Sequence, residues 1–267
     1  MNNTDSLSWP DEPMRDVKED EYPLSASGTK KFKRCPEEFR LRYIADKPGT
    51  KGSSEYATLG SVVHEVIEET LVEESQLLDR PNQLKEVMLG KYRARDLEFE
   101  DDDLYDTGLS CLNVAARYIV QRDVQEFRGV EHEFTCGLKR PDINHGFKGI
   151  MDIATDREIW DWKTGKNTNE QDEIIQGMIY AMGYLSEFGE PPHKIRFVYI
   201  RQERERSLDP TDENWQKMLD YVRDVVQAKR AGEFPADPGS SKCYWCGYEG
   251  FCDASPVGAG GVRWEMF

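Results

Sequence analysis

Gly149-Ile-Met-Asp152-Ile-Ala-Thr155-Asp-Arg157-Glu-Ile159-Trp-Asp161-Trp-Lys163-Thr-Gly165 is the stretch on which the fold turns. Two runs of β-forming residues flank Thr155 to Arg157, a short polar break that reads as a hairpin connection. Alternate side chains of a strand share a face, so Asp161 and Lys163 project together while Trp160 and Trp162 point to the opposite, packed side. If the two runs pair antiparallel across the break, Asp152 lies close to Asp161 on that same face. Two carboxylates and an ammonium then converge.

Working outward, β-formers over 130–138 precede this pair, so three consecutive strands are expected at 130–138, 146–155 and 158–163. Ile174, Ile175, Met178, Ile179, Met182 and Leu185 recur at helical spacing over 170–188, a strand follows at Lys194 to Arg201, and a helix at Asp212 to Ala231. Upstream, Leu59, Val62, Val63, Val66, Ile67 and Leu71 form an apolar helical stripe that leaves His64, Glu65, Glu68 and Glu69 off it. Residues 82–98 and 107–128 also read as helices, separated by the acidic linker Glu98 to Asp106. The expectation is an α/β protein with a mostly helical first half and a mixed sheet in the second.

The chain has 267 residues, with 51 acidic against 35 basic side chains, a formal charge of −16 that excludes a bulk polycation. Its 38% hydrophobic content is ample for a core at this length, which excludes global disorder. Residues 1–22 carry seven acids and two bases with almost no apolar periodicity and are expected to be a disordered tail; 255–267 are expected to be a second tail, with one folded domain between, over 23–254. Apolar runs of roughly 20 residues are absent and the polar start has no hydrophobic signal region, so a soluble, cytoplasmic protein without a membrane is expected. A G-x4-G-K-[ST] phosphate loop is also missing, so the chain carries no recognisable nucleotide-driven motor.

Neighbouring carboxylates raise one another's pKa unless a cation intervenes, and hard oxygen ligands of this kind suit Mg²⁺ or Mn²⁺. Such an ion acidifies a bound water and neutralises a phosphodiester oxygen, while Lys163 can orient the nucleophile or stabilise charge developing in the transition state. This is the chemistry of phosphodiester hydrolysis. A surface salt-bridge ladder of Asp152, Asp161 and Lys163 is the plainer alternative, and Asp-x-Lys alone does not exclude it.

Cys243, Cys246 and Cys252 form a C-x2-C-x5-C group that needs a fourth ligand, because both tetrahedral zinc and a [4Fe–4S] cluster normally take four. Cys35 is the natural candidate; a zinc site completed by a histidine such as His193 is the alternative. Cys111 and Cys136 read as core thiols.

Gly60-x3-His64-x3-Glu68, Gly149-x2-Asp152, Asp161-Trp-Lys163-Thr-Gly165 and Gln176-x3-Tyr180 stand in the order of the motifs of the RecB-like branch of the PD-(D/E)xK nucleases, which the sequence resembles from about Ser25 to Asp253. A lone cysteine ahead of the His motif and a C-terminal C-x2-C-x5-C resemble that branch's iron–sulfur exonucleases, including the CRISPR-associated RecB-like family and the AddB nuclease domain. The resemblance implies a restriction-endonuclease-like core, with a helical part over about 56–128, the α/β core over about 130–231, and the 243–252 cysteines joined to Cys35 around a [4Fe–4S] cluster. It implies that His64, Asp152, Asp161 and the Trp162 carbonyl bind the catalytic metal, that Lys163 is the catalytic lysine, and that Gln176 and Tyr180 contact the active centre or the DNA backbone. Asp161 stands where many relatives have Glu. Glu131 and Glu133 both lie near a position that is often acidic in the family, and the sequence does not choose between them.

The expected activity is therefore a metal-dependent DNA exonuclease acting on single strands or ends in recombination, repair or CRISPR adaptation, with a helicase or CRISPR-adaptation partner. A non-cutting, nuclease-derived assembly subunit and a zinc-stapled interaction protein are the competing readings. An acidic nuclease must meet DNA through local patches. Two exist: 30–51, with eight bases against three acids and the aromatics Phe32, Phe39 and Tyr43 close to Tyr244 and Trp245 of the cysteine group, and Lys194 to Arg206.

Overall fold

The computed structural model describes residues 22–49, 54–101, 103–122, 124, 126–166 and 169–256; most of the expected N-terminal tail and nearly all of the C-terminal one lie outside them. The elements are, in order, α1 (Ala26–Arg34), α2 (Pro36–Phe39) running into a π-helical turn (Arg40–Ile44), α3 (Glu55–Glu73), α4 (Pro81–Arg93), α5 (Asp103–Gln121), β1 (Gly129–Leu138), β2 (His145–Ala154), β3 (Glu158–Lys163), α6 (Glu170–Phe188), β4 (Lys194–Tyr199), β5 (Arg204–Leu208), α7 (Asp212–Ala231) and α8 (Ser240–Tyr244). Five strands form one mixed sheet in the order β1-β2-β3-β4-β5, with β2/β3 antiparallel, β3/β4 parallel and β4/β5 antiparallel. The α/β expectation therefore holds, with β5 as an unforeseen edge strand. Residues 204–208 read as a basic run because their alternation is of charge rather than hydropathy.

The chain gathers into two compact units: one takes in the described parts of 1–52, 135–149 and 211–267, the other those of 53–134 and 150–210. In the second unit the three helices α3, α4 and α5 bury a continuous core that includes Val63, Val66, Leu84, Met88, Leu112 and Ala115. This core meets the sheet through Trp160, Trp162 and Val198, the side of β3 assigned to packing by period-two alternation. On the opposite side lies α6. Gly177 lets it approach, since a Cβ there would stand 2.5 Å from Leu208 and near Phe197 and Ile195; at Gly183 it would stand 2.4 Å from the Phe134 ring.

Helix ends follow local chemistry. Ser54 caps α3 by accepting from the Ala57 amide and Asn169 caps α6 by accepting from the Asp172 amide. Gly189, at φ 78°, closes α6 in the left-handed conformation that favours glycine. The helices foreseen at 82–98 and 107–128 end earlier, at Arg93 and Gln121. Arg95 leaves its helix to pair with Glu65 and Glu69 of α3. In the first unit, Leu24 makes a parallel bridge to Phe147 of β2. Among the described residues no helix is long and apolar enough to cross a membrane.

Candidate active site

The turn between β2 and β3 is built by Thr155, whose hydroxyl accepts from the Arg157 and Glu158 amides while its own amide donates to the Glu158 carbonyl at 2.9 Å. That turn sets the register Ala154 opposite Ile159 and Ile153 opposite Trp160, with Asp152 and Asp161 the next residues of their strands. Asp152 and Asp161 are both buried, and Asp152 Oδ2 accepts from the Trp162 amide at 2.6 Å. Lys163 Nζ stands 2.5 Å from Asp161 Oδ2 and donates to Gln176 Oε1 at 3.0 Å. The Gln176 amide nitrogen donates to Asp161 Oδ1 at 2.7 Å and to the Tyr180 hydroxyl at 2.9 Å. Gln176 thus ties α6 to both members of the Asp-x-Lys pair and to the tyrosine one turn on.

Helix α3 supplies His64, whose Nδ1 lies 3.5 Å from Asp152 Oδ2 and 4.0 Å from Glu131 Oε1. Gly60, one turn before it, permits close approach to the end of β3: a Cβ there would meet Thr164 Oγ1 at 2.8 Å. The spacing Gly60-x3-His64 therefore places a histidine and a bare backbone on the same stripe.

Glu131 is the residue the sequence left open. Regular alternation along β1 would send it outward with Glu133 and Thr135, both exposed. Instead Glu131 has φ 46°, in the left-handed region that non-glycine residues rarely adopt, and its carboxylate turns toward His64. Among the described residues, His64, Glu131 and Asp152 form the group of three ligand side chains whose atoms lie within 4.8 Å of one another. Asp161 stands beside this group, engaged by Lys163 and Gln176, and Trp162 meets it through its backbone, which also hydrogen-bonds His64.

The electrostatics are those of a site with too much negative charge. Burial, followed by repulsion from Asp152, pushes the Glu131 carboxyl up to about 7. Burial and then Asp161 hold Asp152 well above the usual carboxylate range. Burial lowers His64, keeping its ring neutral and one of its nitrogens free to donate electrons. For Lys163, burial works against the charge but the Asp161 carboxylate outweighs it, so the ammonium is held more firmly than usual. Three carboxylates and one ammonium with a neutral imidazole fit a hard divalent cation, which would remove the cause of the raised carboxyl values.

The four cysteines singled out by spacing lie in the first unit. Cys35, Cys243, Cys246 and Cys252 line one small cavity, together with Glu37, Glu38 and Asp237 among others, and none is in a disulfide. Cys35 separates α1 from α2, and its sulfur accepts from the Asp237 amide at 3.4 Å. Cys111 and Cys136 are buried.

The basic patches contract once their partners are seen. Lys31 and Arg34 pair with the buried Glu38, Lys33 with Asp224 and Arg40 with Glu37. Phe32 and Phe39 are core residues, whereas Tyr244 and Trp245 are exposed. In the second patch Lys194 pairs with Asp209, Arg196 with Glu158 and Glu205, and Arg206 with Glu173.

A mixed sheet flanked by helices, with an acidic and lysine-bearing centre at the end of its middle strand, describes a nuclease fold. The chain belongs to the PD-(D/E)XK nuclease superfamily, which matches residues 23–253. Among solved structures it is similar to SSO0001, with 15% identity, a TM-score of 0.36, and coverage of 73% of this chain and 96% of that one. A comparison with curated proteins gives no significant match.

Proposed function

We propose that this chain is a metal-dependent DNA exonuclease of RecB-like type with a structural [4Fe–4S] cluster, acting on single strands or ends in recombination, repair or CRISPR adaptation. The observation that carries the catalytic part is the convergence of the buried Asp152 and Asp161 with the half-buried Lys163, cross-linked by Gln176 and joined by His64 and Glu131. His64, Asp152, Asp161, the Trp162 carbonyl and, newly, Glu131 are the residues to hold Mg²⁺ or Mn²⁺. When bound, such an ion supplies a Lewis acid for a phosphodiester oxygen and an acidified water as nucleophile.

The chain's own side chains do the rest. Lys163, kept charged by Asp161, presents its ammonium where negative charge develops on the phosphoryl oxygens. Gln176 fixes both partners of that pair, and burial keeps the Tyr180 hydroxyl protonated, so while it accepts from Gln176 it can donate to substrate. The neutral His64 offers a nitrogen without adding charge.

The four-cysteine cavity supports the cluster. A single zinc ion with sulfur ligands at about 2.3 Å draws its sulfurs within roughly 4.6 Å of one another. A [4Fe–4S] cluster likewise takes four thiolates, the number of cysteines that line this cavity. The resemblance supports a helicase or CRISPR-adaptation protein as partner, and the cytoplasm, where thiols stay reduced, as the compartment.

Anaerobic purification with visible absorption and iron analysis, followed by incubation with end-labelled single-stranded DNA and Mn²⁺, tests both parts. Brown protein whose cutting is abolished in Lys163→Ala supports the proposal. Brown protein that does not cut makes it an assembly subunit, and colourless zinc protein that does not cut overturns both parts. Cys246→Ala should release iron and destabilise the fold.

A further inference from the structure

Within the run Lys194 to Arg206, Arg201 behaves differently from the paired residues. It has no carboxylate partner among the described residues, in a chain with 51 acids; its guanidinium carbon lies 5.3 Å from the centre of the Tyr56 ring. Arg204 also lies over a ring, that of Tyr199, but Tyr199 is buried and donates its hydroxyl to Glu173. Tyr56 is 52% exposed. One face of its ring carries the cation and the side chain remains open to solvent.

The position of this pair gives it meaning. Tyr56, Gly60, His64 and Glu68 succeed one another at four-residue steps along α3, and all four line one open groove with Glu131 and Thr164. At about 1.5 Å per residue, Tyr56 stands about 12 Å along the helix from His64. That is three or four nucleotides at the stacked spacing of about 3.4 Å, and fewer for an extended strand. Arg201 is anchored to the catalytic strand: the Ile200 amide donates to the Lys163 carbonyl at 3.1 Å and Gln202 Nε2 donates to the Gly165 carbonyl at 3.2 Å. The turn that carries Arg201 is thus tied to the backbone on both sides of Thr164.

We infer that Tyr56 and Arg201 form a clamp for single-stranded nucleic acid at the mouth of the nuclease groove. The free face of Tyr56 stacks a base a few nucleotides from the cleavage point, and Arg201, behind the ring, takes an adjacent phosphate. A base inside a duplex is already stacked and paired, so it reaches Tyr56 only after strand separation. The inference rests on the nuclease reading and deepens its single-strand preference by naming two residues that hold the strand.

Binding in EDTA separates the clamp from catalysis. A fluorescently labelled oligothymidylate is titrated with full-length wild type, Tyr56→Ala, Tyr56→Phe, Arg201→Ala and Arg201→Lys, with circular dichroism to check each fold. Tyr56→Ala should raise Kd roughly tenfold, the usual scale of one base–aromatic stack, while Tyr56→Phe stays within about twofold. Arg201→Ala should weaken binding and lower the slope of log Kd against log salt by about 0.7, the value for one phosphate on a single strand, and Arg201→Lys should restore the slope. Binding of a blunt duplex should be unchanged by Tyr56→Ala. Wild-type affinity in Tyr56→Ala, or an equal loss in Tyr56→Phe, which removes only the hydroxyl bonded to Asp101, overturns the clamp, as does a wild-type chain that does not bind the oligonucleotide. A protein that binds in the expected pattern but does not cut with Mn²⁺ keeps the clamp and loses the nuclease reading; one that cuts with KM unmoved in Tyr56→Ala does the reverse.

Discussion

Replacing Glu131 with Gln should make the metal-free protein more stable at neutral pH and less responsive to metal. The Glu131 carboxyl rises from an ordinary 4.5 to about 7 through burial and repulsion from Asp152. A folded-state pKa above the unfolded one means that folding takes up a proton between those values. The stability tied to this group is therefore full below about pH 4.5 and is lost as pH rises through about 7. At about 1.4 kcal/mol per pKa unit the full rise is worth about 3.5 kcal/mol, and solvent screening at this partly exposed carboxylate brings the loss to about 2–3 kcal/mol by pH 8. For a chain of this size that corresponds to about 5–10 °C in Tm. Thermal unfolding of EDTA-dialysed wild type and Glu131→Gln, followed by differential scanning fluorimetry at pH 5 and pH 8, should give nearly equal midpoints at the lower pH. At the higher pH the variant should melt higher by about that interval. Adding Mn²⁺ should narrow the gap, since ion binding at a hundred times Kd adds about 2.7 kcal/mol to the wild type and less to a site that has lost a carboxylate. Midpoints that run parallel across pH, or an equal Mn²⁺ gain in both proteins, would refute the placement of Glu131 in the charged centre.

Three further outcomes follow from particular contacts. Lys163→Ala, which removes the ammonium beside Asp161, should lower cutting of end-labelled DNA by at least about a hundredfold with little change in circular dichroism. Gly60→Ala places a methyl 2.8 Å from Thr164 Oγ1 and should reduce activity; adding Thr164→Ala removes that oxygen and should recover part of the loss, whereas no recovery would mean that the clash is not the cause. Gly183→Ala drives a methyl against the Phe134 ring at 2.4 Å and should cost about 1–3 kcal/mol in urea unfolding, a loss that a normal midpoint would contradict.

The sequence made the core of the site readable wherever periodicity and turn chemistry agreed. Asp161 and Lys163 on one face, Trp160 and Trp162 on the other, and Asp152 across a tight Thr155 turn all follow from a period of two, and the coordinates place them so. Gln176 and Tyr180, one helical turn apart, do bond each other, and Gln176 also reaches the Asp-x-Lys pair. Glu131 was not legible, because a left-handed residue inside a strand breaks the alternation on which the reading depends. Strand β5 was hidden for a related reason. Its side chains alternate between partners of opposite charge, Glu205 toward Arg196 and Arg122, Arg206 toward Glu173, rather than between oil and water. The basic runs misled in the other direction, since charge counted along a chain says nothing about which cations are already neutralised by a neighbour.

Cys35 leaves the ribosome about 200 residues before the three thiols that share its cavity, and the Asp237 amide that bonds its sulfur arrives only shortly ahead of them. During synthesis this thiol waits without its companions, and any transcript cut short before Cys243 yields a polypeptide that can never surround the cavity. Only a chain made through to Cys252 brings all four thiols to that cavity.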